Sequence, residues 1–389
     1  MRISHGVLIV ALATTPALVA QPSQALATTC HGLTATIVGT DGDDELTGTP
    51  LNDVVWLGPG NDTYTDPGGN DVICGGPGND AISGGDGHDF IDGGSGKDKI
   101  SGGAGDDRIV GGSGNDEITP GDGNDVVRAG KGKDYIAEGG GSDKISGGPG
   151  KDYVTYLFWS RSIKVTKARN VTGAGKDLLA NVETIEGTRF ADVMRGSAGD
   201  DDLRGGAGRD QIYGLGGNDI LFASGGAARG GAGNDYIQLT GTATGLGGAD
   251  SDEIALGKGR RVRAYGGGAP DTFRVISPKA NGLVNGEGAD NQLNFSGLKR
   301  AVRVDLGAGR STWRGGGLRI RNINNVLGSI RGDVLIGGPG NDYMDGFKGG
   351  DKLYGRGGND FLIGKGGFDK ADGGPGWDIC LTETKVNCP

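Results

Sequence analysis

An aspartate recurs at every ninth residue for thirteen consecutive steps: Asp44, Asp53, Asp62, Asp71, Asp80, Asp89, Asp98, Asp107, Asp116, Asp125, Asp134, Asp143 and Asp152. Around it the chain repeats Gly-Gly-x-Gly-x-Asp-x-U-x, with U apolar, as in Gly75-Gly76-Pro77-Gly78-Asn79-Asp80-Ala81-Ile82-Ser83. The units run without a gap from Gly39 to Thr155. Position eight is always apolar and mostly β-branched (Leu46, Val55, Tyr64, Ile73 and onward to Val154), so one side chain in nine is placed to point inward. A fixed short period of this kind dictates a solenoid, because each unit buries its apolar residue only by stacking on its neighbours. A disordered glycine-rich linker would share the composition but has no reason to hold the register.

Glycine supplies 85 of 389 residues, yet without an every-third-residue spacing, which excludes collagen. With 34% apolar residues a large conventional core is not expected. The formal charge of −10 comes from carboxylates set at intervals, which suits cations better than nucleic acid or an anionic membrane.

The repeat returns twice. A second block starts at Gly187 with Asp192, Asp201, Asp210, Asp219 and Asp235, then decays after about residue 238 through Asp252 and Asp271, which lack the full glycine frame. A third block, 328–381, carries Asp333, Asp342, Asp351, Asp360, Asp369 and Asp378. The expected organisation is a signal peptide 1–27, an N-terminal cap 28–38, block one 39–155, connector one 156–186, block two 187–272, connector two 273–327, block three 328–381 and a C-terminal cap 382–389. The connectors are alike. Ile163-Lys164-Val165-Thr166 parallels Val302-Arg303-Val304-Asp305, and Asn181-Val182-Glu183-Thr184-Ile185 parallels Asn322-Ile323-Asn324-Asn325-Val326. Both read as β-rich segments that extend the stack without metal turns.

Three-residue strands joined by six-residue turns account for the glycines, since such turns need positive φ and close backbone approach. If two nonapeptides make one coil, turns on one edge recur every eighteen residues and stack at about 4.8 Å. Bare carboxylates at that spacing repel by roughly 1 kcal/mol per pair in water and several times more at an effective dielectric near 20. A counter-ion is required. Six to eight hard oxygens in flexible geometry is the preference of calcium, whereas magnesium wants a stricter octahedron. Zinc is disfavoured, with only His31 and His88 after the leader and few cysteines. A core of one apolar residue in nine is thin, so metal binding is expected to supply folding free energy, with affinity of ~10⁻⁴ to 10⁻³ M.

The nonapeptide resembles the RTX, or hemolysin-type, calcium-binding repeat. The resemblance implies an all-β, right-handed parallel β-roll in which the position-six aspartates of all three blocks, from Asp44 to Asp378 as named above, ligate multiple Ca2+ ions together with turn carbonyls. Many members of that family leave the cell through an uncleaved C-terminal signal. This chain instead opens with Arg2, an apolar run from Val7 to Val19 and Ala25-Leu26-Ala27, which predicts a signal peptide cleaved after Ala27 and a secreted, extracellular protein. In this it is similar to the secreted repeat-only proteins of high-GC Gram-positive bacteria, as are its Cys30 to Thr40 segment and its Gly373 to Cys380 segment followed by Cys388.

Four cysteines allow three connectivities. Cys30 and Cys74 lie near one end and Cys380 and Cys388 near the other, so local pairing is the economical choice, with metal-binding or reactive thiols as the rival. Position nine of alternate repeats (Thr47, Thr65, Ser83, Ser101, Thr119, Ala137, Thr155) predicts a hydroxyl ladder; mixed residues at position seven argue against a flat ice-binding face. No H-E-x-x-H, G-x-S-x-G, Walker loop or Cys/His dyad occurs, and a non-enzymatic protein is expected. The leading reading is a calcium-binding structural or binding module. An adhesin or cell-surface scaffold is the alternative, with Tyr156, Phe158, Trp159 and Trp313 as candidate contacts, and a hydrolase is the remoter one.

Overall fold

A computed structural model describes residues 28–166, 169–173, 175–288 and 290–388. The expected signal peptide lies outside the described residues. Every regular element among them is a β-strand.

Successive strands alternate between two parallel sheets, and each strand pairs with the one a full coil later. In one sheet Lys99–Ala104 pairs with Ala81–Asp86 on one side and Glu117–Asp122 on the other; in the second sheet, Arg108–Ser113 pairs likewise with Phe90–Ser95 and Val126–Lys131. The register is Ile82 to Ile100 to Ile118, a step of eighteen residues, so the position-eight side chains form two facing columns between the sheets. The expected hydroxyl ladder is present too, with Thr65, Ser83, Ser101 and Thr119 in register. Beside it Lys99 meets Glu117, and Tyr135 stacks on Tyr153 with 5.4 Å between ring centroids. Mixed chemistry of this kind stabilises neighbouring coils pair by pair.

Each connector adds an antiparallel meander to the same sheet. Lys164–Val165, Asn170–Thr172 and Lys176–Ala180 sit between Lys144–Ser146 and Val193–Arg195; Val302–Asp305, Arg310–Trp313 and Gly316–Arg321 sit between Asn281–Glu287 and Val334–Ile336. The other sheet passes both connectors without interruption, Tyr153–Thr155 pairing with Thr184–Glu186 and Gln292–Asn294 with Asn325–Leu327.

The stretch after residue 238 does not decay structurally. Its coils take seventeen, nineteen and then twenty residues, and in one of the two sheets a second apolar residue is buried: Ile237 with Leu239, Ile254 with Leu256, Phe273 with Val275, Leu293 with Phe295. The expectation of one inward residue per nonapeptide therefore fails here, because the next same-face position, a glycine in most of block one such as Gly84 after Ile82, is taken by a large apolar residue. Of the connector aromatics, Tyr156 and Trp313 are buried, Trp159 packs partly against the core and Phe158 is exposed.

Both ends are tied. Cys30 pairs with Cys74, fastening the hairpin of Thr29–Cys30 and Leu33–Thr34 to the strand Val72–Pro77, and Cys380 pairs with Cys388.

Candidate metal sites

The turn Gly75 to Asp80 shows how the repeat builds its edge. Asp80 turns its carboxylate inward, where Oδ1 accepts the Asp62 N–H of the preceding coil at 2.9 Å, while the Asp80 N–H donates to Asp98 Oδ1 at 2.9 Å. The same bond links Asp44 to Asp62 and Asp53 to Asp71, and it continues up both edges of block one. A second ladder runs outside it at position five, where the Asn79 N–H donates to Asn61 Oδ1 at 2.9 Å. His88 belongs to that ladder rather than to a metal cluster, its Nδ1 accepting the Asp106 N–H at 2.8 Å.

Glycine leaves room at two places in the turn. Gly78 has φ +149°, and a Cβ there would fall 1.4 Å from the Gly60 carbonyl oxygen. At position one, a Cβ on Gly75 would lie 2.4 Å from Gly93 O and 2.6 Å from Asp80 Oδ2. The absent methyl thus marks a small cradle walled by a carboxylate oxygen and a carbonyl oxygen. Gly84, Gly93, Gly102 and Gly111 repeat it with Asp89, Asp98, Asp107 and Asp116.

The oxygen facing that cradle has no partner. Among the described residues, Oδ2 of Asp62, Asp71, Asp80, Asp89, Asp98, Asp107, Asp116, Asp125, Asp134, Asp152, Asp210, Asp219, Asp235, Asp351, Asp360, Asp369 and Asp378 is buried without a hydrogen bond. A buried carboxylate oxygen with no donor is costly. Burial pushes Asp98 and Asp107 up to about 7 and Asp80, Asp89, Asp116 and Asp125 up to about 6, while the amide from the preceding coil pulls each down. Stacked anionic oxygens beside carbonyls, with no histidine or cysteine, form a donor set that fits calcium. Such an ion would be held by position-six carboxylates and position-one carbonyls and would supply the missing positive charge.

Seven expected sites differ: Asp143 lies beside Glu138 and is not among the unpartnered, and the other six are capped. Thr40 donates its N–H and hydroxyl to Asp44 Oδ2 at 2.6 and 3.0 Å, and Thr49 does so to Asp53 at 2.8 and 2.9 Å. Thr188 caps Asp192, Ser197 caps Asp201 and Ser329 caps Asp333 in the same way, and the Gly338 N–H reaches Asp342 Oδ2 at 2.5 Å. These are the first two turns of each block. Asp201 also receives the Arg169 guanidinium at 2.5 Å.

Other residues join the ladder without belonging to the repeat. Asp252 and Asp271 carry the same unpartnered Oδ2 and accept the N–H of Asp235 and Asp252. Their signal is a glycine five residues ahead, Gly247 and Gly266. Elsewhere the acceptor changes: Asp143 N–H donates to Asp177 at 3.1 Å, Asp152 to Glu183 at 2.7 Å, Asp271 to Asn291 at 2.8 Å and Asp369 to Glu383 at 2.8 Å. Two position-one glycines are replaced by acids on one edge. Asp66 accepts the Tyr64 hydroxyl beside Asp53 and Asp71, and Glu138 lies beside Asp143 and Asp177.

No curated protein matches this sequence. Among solved structures, the extracellular lipase LipA from Serratia marcescens aligns at 15% identity over 61% of this chain and 38% of that one, with a TM-score of 0.15, too low to bear on shape or activity. The family described as the RTX calcium-binding nonapeptide repeat matches residues 36–65, 68–100, 83–118, 101–136, 119–154, 180–212, 195–227, 327–362 and 354–383, together more than half of the chain. With its glycine cradles and stacked aspartates now located, the chain belongs to the RTX calcium-binding nonapeptide repeat family.

Proposed function

We propose that this protein is a secreted, non-enzymatic module whose roll folds on calcium, with the position-six aspartates of the uncapped turns as ligands. The observation that carries the reading is the row of buried, unpartnered Oδ2 atoms facing glycine cradles, a charge pattern that a bound cation offsets. Both disulfides support an oxidising destination, in keeping with the expected export signal. The test is calorimetric titration of calcium into chelator-treated protein with circular dichroism alongside. Binding of many ions with a gain of β-signal, not reproduced by magnesium, is the expected result. A spectrum unchanged by chelator and by excess calcium, or fewer than about five ions per chain, overturns it.

A scaffold that holds an anionic partner is a second reading, favoured by charge distribution. Residues 39–155 carry 23 Asp and Glu against 8 Lys and Arg, whereas residues 209–321 carry 15 Lys and Arg against 10 Asp and Glu. There Arg260, Arg261, Arg263, Arg310, Arg319 and Arg321 line a groove of about 700 Å³, none of them in an ion pair among the described residues. With no aromatic in its wall to stack bases, the groove suits an acidic polysaccharide better than single-stranded nucleic acid. Retention on dextran sulfate but not on neutral dextran, lost when Arg261 and Arg319 become alanine, is the expected outcome. Equal retention of the double variant removes this reading.

A further inference from the structure

Glu138 stands at position one of its repeat, the place where Gly84 and Gly102 on the same edge leave an oxygen-walled space. It is 5% exposed, and no donor reaches either of its carboxylate oxygens. Asp143, the position-six residue of the same repeat, spends Oδ1 on the Asp125 N–H at 2.6 Å. Asp177 arrives from connector one, accepting the Asp143 N–H on Oδ1 and the Tyr156 hydroxyl on Oδ2, each at 3.1 Å. Glu138, Asp143 and Asp177 each offer an oxygen, and the three lie within 4.8 Å of one another.

We infer that Glu138, Asp143 and Asp177 form a three-carboxylate calcium site, distinct from the ordinary turns, that fastens the end of block one to connector one. The inference rests on the calcium reading of the roll. Oxygens bound to one ion at about 2.4 Å lie no more than ~4.8 Å apart, so the cluster has the size of one coordination sphere. The set is all oxygen, with no histidine or cysteine, which selects a hard cation. Ligand charge governs calcium affinity, so this site fills before turns built on position-six aspartates and carbonyls. It also clamps chain segments far apart in sequence, since Asp177 follows Asp143 by 34 residues. An ion here orders the meander and the last coil of block one together. Asp53, Asp66 and Asp71 look similar, but both Asp66 oxygens already have donors in Tyr64 and Gly68.

The test compares the full-length chain with Glu138→Gln and with Asp177→Asn, in calcium and in chelator, by equilibrium dialysis and thermal melting. Each variant is expected to bind one calcium ion fewer, keep the remaining ions, and show a smaller rise in Tm on adding calcium. In chelator both are expected to melt at or above the parent, because a buried charge has been removed. Terbium gives a second readout that does not depend on stability. Tyr156→Phe is expected to lower tyrosine-sensitised emission from the first ion bound while leaving the ion count unchanged. An unchanged ion count in both carboxylate variants, with the same Tm shift in calcium and chelator, overturns the site and leaves a proton shared between Glu138 and Asp143. A parent chain that binds no calcium at all overturns the turn reading as well, which separates the two failures.

Discussion

Between Val72 and Val154 each coil takes eighteen residues, buries mainly its two position-eight side chains and lines both edges with inward aspartates, whereas between Tyr236 and Leu327 the coils, after one of seventeen residues, widen to nineteen and twenty and the core thickens. In the wide stretch only one edge keeps the ladder, through Asp235, Asp252, Asp271 and Asn291. The other edge closes through short turns, with the Ala243 N–H on the Thr240 carbonyl at 3.1 Å and the Ala280 N–H on the Ser277 carbonyl at 3.2 Å. Beneath them Ala243, Val262 and Ala280 are fully buried. Apolar burial and stacked acidic turns are thus alternative ways to hold one coil on the next. Where two large side chains enter per strand, an edge can give up its acids.

That contrast predicts unequal responses to chelation, the largest effect expected. Hydrogen exchange in chelator should lose at least about 100-fold of its protection across 72–154 and clearly less across 236–327. Equal loss in the two stretches would break the comparison. Next, Phe273→Ala should cost about 3–5 kcal/mol in calcium and in chelator alike, since the cavity it leaves is apolar. Ile100→Ala should cost clearly more in calcium than in chelator, where its neighbourhood is loosened. Replacing Cys30 and Cys74 with serine should cost about 2–4 kcal/mol and loosen the first coils of block one before the wide stretch, a difference visible by limited proteolysis.

pH should act with opposite sign in the two metal states. Burial raises Asp98 and Asp107 to about 7 in the folded chain, so the folded state binds protons that the unfolded state releases. In chelator block one should therefore lose stability as pH rises from the ordinary carboxylate range through about 7. In calcium the folded chain holds these carboxylates ionised, as the unfolded chain does near neutrality, so stability should be nearly flat there and fall only as pH drops into the ordinary carboxylate range. Melting curves from about pH 3 to pH 8, with and without calcium, read both signs. The smallest effect belongs to the caps: Thr49→Gly should cost about 1 kcal/mol, through loss of the hydroxyl bond to Asp53, and make that turn dependent on calcium.

Most of the edge was legible because the repeat states it. Position six and position eight named the inward acids and the core columns, and the two-nonapeptide coil appears as bonds that step by eighteen residues. The ends of the columns were not legible. Asp177, Glu183, Asn291 and Glu383 need only present an oxygen to the last free N–H, and the excursions before them erase any fixed spacing. Asp252 and Asp271 were obscured for another reason. The step along the edge is seventeen residues and then nineteen in place of eighteen, so the period is lost while the glycine five places earlier remains. The caps were written in Thr40, Thr49, Thr188, Ser197 and Ser329, each standing where the repeat has its second glycine. Their meaning depends on the aspartate four residues later, which only the folded turn brings within reach.

Among the described residues, the sheet that passes both connectors without interruption contains eighteen strands. At about 4.8 Å per strand it spans roughly 80 Å, and length grows in proportion to coil number. The 117 residues of block one occupy only about 30 Å of that rod, yet drawn out as an extended chain they reach roughly 400 Å. Anything fixed to the two ends would therefore be held at a short, set distance while calcium is plentiful. Withdrawal of the ion would turn the spacer into a long, slack tether, with the wide coils remaining as a knot along it.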